Sequence, residues 1–426
     1  MKEKKKAEWF RMDRSAIIYI AQRSKRCSNI YRVSLTLDEP VAPDILAEAL
    51  KRTVPRFPAI AARIRPGMFW YYLEPLKEPP ELIEEGTHPL KYMTMKETAD
   101  SALRVLYYGK RISVEIFHSI TDGMGALTFL KTLCAEYLRL RYGADIPFVD
   151  GIEDTEAQWT AEETEDCYEK YAGGDGKPLG DSKVYRFRGT HEPDNYVNII
   201  TGTVESAELK KAASDMGVSI TALLSAVMLK SLLTLQHQRS KRSRKPVSVL
   251  IPVDLRRMFS AGTLRNFILS ITAAATPKER DLSLKDLAES VTRQMKEKIT
   301  ENEMRCKMKS IVSITGNPVI RGIPLFMKMI GLRRGYSMWG SGSSCITLSN
   351  LGIIKLPEEM AWHVKGAGAI SVIRPDAPNN SAVITYGGKT EICFSRSIKE
   401  TELERLFFTQ LAGLGVSVKV ESNSRK

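Results

Sequence analysis

Apolar positions along the chain switch between a period of two and a period near 3.6, and the switch points divide it into elements. Residues 30–37 are apolar and β-branched, which reads as a strand. Pro43 and Asp44 then open a pattern in which Ile45, Leu46, Ala49, Leu50 and Val54 share one helical face. Short aromatic and β-branched stretches follow near 62–72. Two runs at 103–108 and 111–117 are separated only by Gly109-Lys110, the spacing of a β-hairpin. After Asp122-Gly123, Met124, Leu127, Leu130, Leu133, Cys134, Tyr137 and Leu138 recur at helical spacing and predict a long amphipathic helix to about Arg141.

The pattern breaks between 154 and 193, where the acidic cluster Glu162-Glu163-Thr164-Glu165-Asp166 and the turn-rich 173–178 mark a crossover linker. Beyond it strands are expected at 198–204, 247–253, 267–275, 345–349, 370–373, 382–386 and 391–394. Helices are expected at 206–216, 220–236, 284–300 and 402–414. Both halves mix strands and helices on a similar scale and no 20–50-residue repeat occurs, so the expected class is α/β with mixed sheets in two lobes, 1–153 and 194–426, joined by 154–193.

Composition bears out a folded chain. With 426 residues, 43% hydrophobic and 27% charged, there is room for two to three domains at about 150 residues each. The 63 basic and 50 acidic residues leave +13, which favours anionic partners such as nucleic acid, acidic lipid, a phosphorylated cofactor or an acidic carrier protein without choosing among them. The amino terminus is basic (Lys2, Lys4, Lys5, Lys6), but no apolar segment follows to complete a signal peptide, and the run 16–21 is too short to span a bilayer. Six scattered cysteines with no Cys-x-x-Cys pair argue against zinc and redox motifs and suit core positions in a reducing cytoplasm.

The sharpest chemical signal is His118-Ser119-Ile120-Thr121-Asp122-Gly123, placed where a strand ends and the long helix begins. Alternation puts Ile112, Val114, Ile116 and His118 on one row. An imidazole ending a buried row loses hydration, stays neutral near pH 7 and is suited to take a proton. Asp122 can cap the helix by accepting backbone N–H bonds, and it can pair with a cation that pins the loop aiming His118. By composition alone, His-x-x-x-Asp-Gly arises in roughly one such chain in sixty.

The pattern resembles the His-x-x-x-Asp-Gly motif of the coenzyme A dependent acyltransferase superfamily, which includes chloramphenicol acetyltransferase, alcohol acetyltransferases, plant BAHD acyltransferases, wax-ester synthases and condensation domains. Two further segments are similar to it: Pro252-Val253-Asp254-Leu255-Arg256 with Arg265-Asn266-Phe267, and Ser349-Asn350-Leu351-Gly352. Phe117 stands where condensation domains usually carry a first histidine, and the Asp-Phe-Gly-Trp-Gly motif of the BAHD group is missing, which tilts the resemblance toward small-molecule acetyltransferases. It implies two chloramphenicol acetyltransferase-like lobes forming a pseudo-dimer with a tunnel between them, His118 at its middle. Acyl-CoA would serve as co-substrate and a small alcohol or amine as acceptor, with no tightly bound cofactor and no metal. The resemblance further implies a structural Asp122 beside Gly123, with Arg256 expected as its ion-pair partner and Ser349 or Asn350 as the donor to the reacting oxyanion.

Other signals are weaker. The basic run 239–245 reads as a solvated loop, with CoA phosphates or an acidic carrier protein as its functional option; lacking aromatics, it does not suit nucleic acid. The stretch 340–344 lacks the Gly-Lys-Ser/Thr of a P-loop and is expected as a loop at a tunnel mouth with Trp339. His88, His191, His237 and His363 lack metal-ligand spacing. Two competing readings stand beside an acyl-CoA enzyme acting as a cytoplasmic monomer: a condensation-type domain fed by carrier-bound thioesters, and a non-catalytic basic protein of the same fold.

Overall fold

The computed structural model describes residues 9–24, 27–180, 182–335, 342–374 and 376–423. Two large sheets dominate. The first has five strands, in the order Val364–Ile370, Ile30–Leu37, Arg111–Phe117, Leu103–Tyr108, Leu82–Glu84. The second has seven, in the order Ile268–Ala275, Val247–Asp254, Ile346–Ile353, Asn379–Tyr386, Lys389–Arg396, Asn198–Glu205, Val418–Ser422. Parallel and antiparallel neighbours coexist in both sheets, so the mixed α/β class holds. The Gly109-Lys110 hairpin forms, with Tyr108 opposite Arg111 and Gly109 at φ +52° in the left-handed region that such a turn requires.

Each lobe is built on a twenty-residue helix, Gly123–Tyr142 in the first and Ile220–Arg239 in the second. Gly123–Tyr142 starts at the Asp122 cap and stops at Gly143, whose φ of +66° provides the left-handed exit. Ile220–Arg239 is long and apolar enough to cross a membrane by length and composition, yet most of it is buried against the second sheet and its neighbouring helices. Two apolar cores result, one centred on each sheet.

Three features depart from the pattern-based expectation. The strand expected at 370–373 lies at Val364–Ile370 and pairs antiparallel with Ile30–Leu37, so a segment from late in the chain completes the first sheet. Its sequence, Val-Lys-Gly-Ala-Gly-Ala-Ile, has little intrinsic strand preference. Close approach explains it: a Cβ at Gly368 would stand 2.8 Å from the Ser34 hydroxyl. Second, the stretch after residue 300 forms helices Glu301–Gly316, Pro318–Gly322 and Leu325–Gly335, although its apolar residues show no single face. Third, the acidic cluster of the 154–193 segment acts as a strap. Glu163 pairs with Arg56 at 2.5 Å while its carbonyl accepts from Leu264 N, Glu162 accepts from Gly262 N, and Asp166 accepts from Arg14 N. The six cysteines are unpaired and buried. Trp339, Gly340, Ser341 and the basic amino terminus lie outside the described residues.

Candidate active site

His118 follows directly on strand Arg111–Phe117, whose inner row Ile112, Val114 and Ile116 is fully buried. Its backbone N–H donates to Asn29 O at 2.9 Å, which extends the antiparallel pairing of Ile30 with Phe117 by one residue. There two tyrosine rings pack against the imidazole. Tyr19 stacks on it at 4.3 Å between centroids and 10° between planes, and Tyr31 leans on it at 4.8 Å and 55°. The Tyr31 hydroxyl in turn donates to the carbonyls of Thr121 and Asp122, at 3.0 and 2.8 Å.

Asn266, from the second lobe, grips the same residue twice. Its Nδ2 donates to the His118 carbonyl at 3.0 Å, and this turns Oδ1 toward ring Nδ1, 3.2 Å away. A carboxamide oxygen only accepts, so this arrangement calls for the Nδ1–H tautomer and leaves the lone pair on Nε2. Burial lowers the His118 pKa below the usual imidazole value. Its own backbone carbonyl, Asp122 and Asn266 pull the other way without overcoming it. The ring is therefore neutral at pH 7.

Asp122 is fully buried and every direction around its carboxylate is used. Oδ1 accepts from Met124 N at 3.1 Å and Gly125 N at 3.3 Å, capping the long helix. Arg256 Nη2 reaches both oxygens, at 3.0 and 2.9 Å, and Phe267 N donates to Oδ2 at 2.9 Å. Arg256 also donates to Asp254, Thr263 O and Arg265 O. Burial works against its charge, but Asp122 and Asp254 outweigh that and hold the guanidinium firmly protonated. Asp122 thus ties the helix of one lobe to the loop after Val247–Asp254 of the other; it holds the His118 loop rather than the imidazole.

A second buried pair lies alongside, Asp13 with Arg265 at 2.7 Å, where burial pushes the Asp13 carboxyl up to about 7 despite Arg265. Asp13 also accepts from Asn266 N at 3.3 Å, which ties Asn266 to the first lobe through its backbone as well.

His118 and Gly123 open onto a cavity of about 720 Å³ whose wall is drawn from both lobes. That is within the range of about 300–1,000 Å³ common for small-molecule sites. Tyr19 and Tyr31 come from the first lobe; Thr347, Ser349 and Arg374 come from the second. Ser349 faces this space. Asn350 also borders it, but its amide is committed: Nδ2 donates to Thr221 at 3.0 Å and Oδ1 accepts from Gly352 N at 2.9 Å. The residues expected from sequence are therefore gathered in one place, with Asn350 shaping the strand end. The basic run 239–245 contributes nothing to the cavity wall; Arg239 donates to Arg188 O and pairs with Glu402. Among the described residues no cluster of side chains with metal-ligating character occurs.

Sequence reasoning missed four parts of the site. Asn266 lies within a segment quoted only for resemblance, and nothing in spacing links it to a histidine 148 positions away. Tyr19 sits on the six-residue helix Ile17–Gln22, too short to leave a periodic mark, and Tyr31 is one more apolar position in a strand. Gly125 did leave a signal: a second glycine inside the first helical turn costs about 1 kcal/mol relative to alanine unless space demands it. It does, since a Cβ there would lie 2.1 Å from Thr121 Oγ1 and 2.3 Å from Leu264 O.

No family model and no curated protein matches the sequence. Solved structures match along nearly the whole chain. TRI101 of F. graminearum, in complex with ethyl coenzyme A, is similar over 98% of this chain and 99% of its own, with a TM-score of 0.62 at 12% identity. Polyketide synthase associated protein 5 from Mycobacterium tuberculosis is similar over 94% and 97%, with a TM-score of 0.59 at 13% identity. The first condensation domain of the CDA synthetase is similar over 97% of each chain, with a TM-score of 0.57 at 15% identity. The chain has the two-lobed, chloramphenicol acetyltransferase-like fold of the CoA-dependent acyltransferases and condensation domains.

Proposed function

We propose that this chain is an acyltransferase that moves an acyl group, most simply acetyl, from coenzyme A to a hydroxyl or amine of a small acceptor, with His118 as general base. One observation carries the reading: a neutral imidazole, its Nδ1 engaged by Asn266 and its ring packed by Tyr19 and Tyr31, borders a cavity lined by both lobes. His118 Nε2 takes the proton as the acceptor oxygen or nitrogen attacks the thioester carbonyl. When the tetrahedral intermediate collapses, the C–S bond breaks and the imidazolium returns the proton to the departing thiolate. Donor and acceptor meet in one ternary complex, so proximity supplies part of the rate. Ser349 is the side chain we assign to the developing oxyanion, Asn350 being committed elsewhere. Support for the substrate classes comes from TRI101, whose structures hold coenzyme A together with T-2 mycotoxin or deoxynivalenol. Because both lobes come from one chain, the reading takes a monomer as the active unit; it also takes the reducing cytoplasm as its place.

The test is thiol release from acetyl-CoA across a panel of alcohols and amines. His118→Ala is expected to lower the rate by about 10²- to 10⁴-fold. The base works only when neutral and its pKa lies below the usual value of about 6.5. Hence kcat/KM should be flat from pH 7 upward and fall only as acid protonates the ring. Full turnover in His118→Ala would overturn the base, and turnover confined to acyl groups on a phosphopantetheinylated carrier would overturn the CoA donor.

A further inference from the structure

Helix Leu325–Gly335 is apolar on two sides, and the described residues cover only one. Leu325, Lys328 and Met329 are buried on the inner side, where Arg333 Nε also donates to Ala21 O at 3.1 Å. The helix Ile17–Gln22 against which it packs carries Ile18, Tyr19 and Gln22 on the wall of the His118 cavity. The outer side presents Phe326, Met327 and Ile330 to solvent. Two bonds attach the β-turn at 67–70 to this helix: Leu325 N donates to Met68 O at 2.9 Å, and Lys328 Nζ donates to Phe69 O at 2.7 Å. Met68 and Phe69 therefore join the same surface. Phe69 and Trp70 share a groove of about 870 Å³ with Arg321 of the preceding helix, Pro318–Gly322, which exposes Val319. The six apolar residues Met68, Phe69, Val319, Phe326, Met327 and Ile330 are 43–75% exposed. A helix with apolar residues all round is normally buried, and a contiguous exposed patch of this kind marks a docking face.

Charge identifies the partner. From 318 to 335, the segment that forms the face, the chain has four Lys or Arg and no Asp or Glu; Lys328 is buried, and Arg321, Arg333 and Arg334 are exposed beside the apolar residues. The nearby acids are committed: Glu169 to Arg14, with Arg11 and Arg321 close by, and Glu74 to Arg63 and Arg65. A second copy meeting this face across a two-fold axis would oppose one basic array with another. Protruding apolar side chains ringed by arginines match the boundary of an anionic bilayer, with side chains among the acyl groups and guanidinium groups at the lipid phosphates. We infer that the face formed by Pro318–Gly322, Leu325–Gly335 and the turn at 67–70 seats the protein on an anionic membrane surface. This inference stands apart from the chemistry assigned to His118.

Co-flotation of the full chain with vesicles tests it. Binding is expected to vesicles of equal parts phosphatidylglycerol and phosphatidylcholine, to weaken as salt is raised, and to be at least about tenfold poorer with phosphatidylcholine alone. The triple variant Val319→Ser, Phe326→Ser, Ile330→Ser and the charge variant Arg321→Glu, Arg334→Glu should each lose vesicle binding by about tenfold or more while keeping the wild-type Tm and staying monomeric. Three results would overturn the inference: no association with the anionic vesicles, association that both variants retain in full, or a wild-type dimer in sedimentation that either variant splits.

Discussion

The two twenty-residue helices occupy corresponding positions in their lobes but begin very differently. Ile220–Arg239 opens on Ser219, whose hydroxyl accepts from Ala222 N at 3.2 Å, a local cap that any soluble helix could carry. Gly123–Tyr142 opens on a charged carboxylate with no exposure to water, held by an arginine and a backbone N–H from the other lobe. A buried charge left alone costs several kcal/mol, so Asp122 is tolerable only while the lobes are docked. The difference teaches that the first helix start doubles as the lobe junction, and His118, four residues earlier, inherits its position from that junction.

Four substitutions break or sharpen this contrast. Arg256→Met strands the Asp122 charge and should cost about 3–5 kcal/mol in denaturant unfolding, with loss of activity at permissive temperature. A cost under about 1 kcal/mol would mean that the junction does not depend on the pair. Gly125→Ala should cost about 1–3 kcal/mol, because the added methyl group meets Thr121 and the Leu264 carbonyl of the other lobe. Gly123→Ala is its comparison: the new Cβ would lie 3.3 Å from a Leu351 methyl, which can shift, so a Tm closer to wild type is expected. Ser219→Ala should cost only about 1 kcal/mol in the same unfolding measurement and leave the pH profile of activity unchanged, since its cap serves one lobe alone.

Much of this architecture was readable in the pattern of residues. Helix Gly123–Tyr142, hairpin 103–117 and the strand-to-helix setting of His118 follow from short-range periodicity and turn chemistry, which act over a few residues. The Asp122–Arg256 pair was legible only because both residues sit in motifs; nothing in local spacing joins positions 134 apart. Helices between 301 and 335 went unread for the opposite reason, since apolar residues on two faces blur the single stripe that marks a packed helix.

What the amino-acid order determined by itself is therefore local: where strands end, where helices start, and that a histidine and a capping aspartate fall at one such junction. Tertiary structure decided the rest. It chose which asparagine turns the imidazole and set which carboxamide is already occupied, that of Asn350, while Ser349 and Asn350 both border the cavity. It also placed glycine-rich Val364–Ile370 beside Ile30–Leu37. These outcomes depend on groups far apart in the chain meeting with complementary shape and charge, and periodicity carries no information about such meetings.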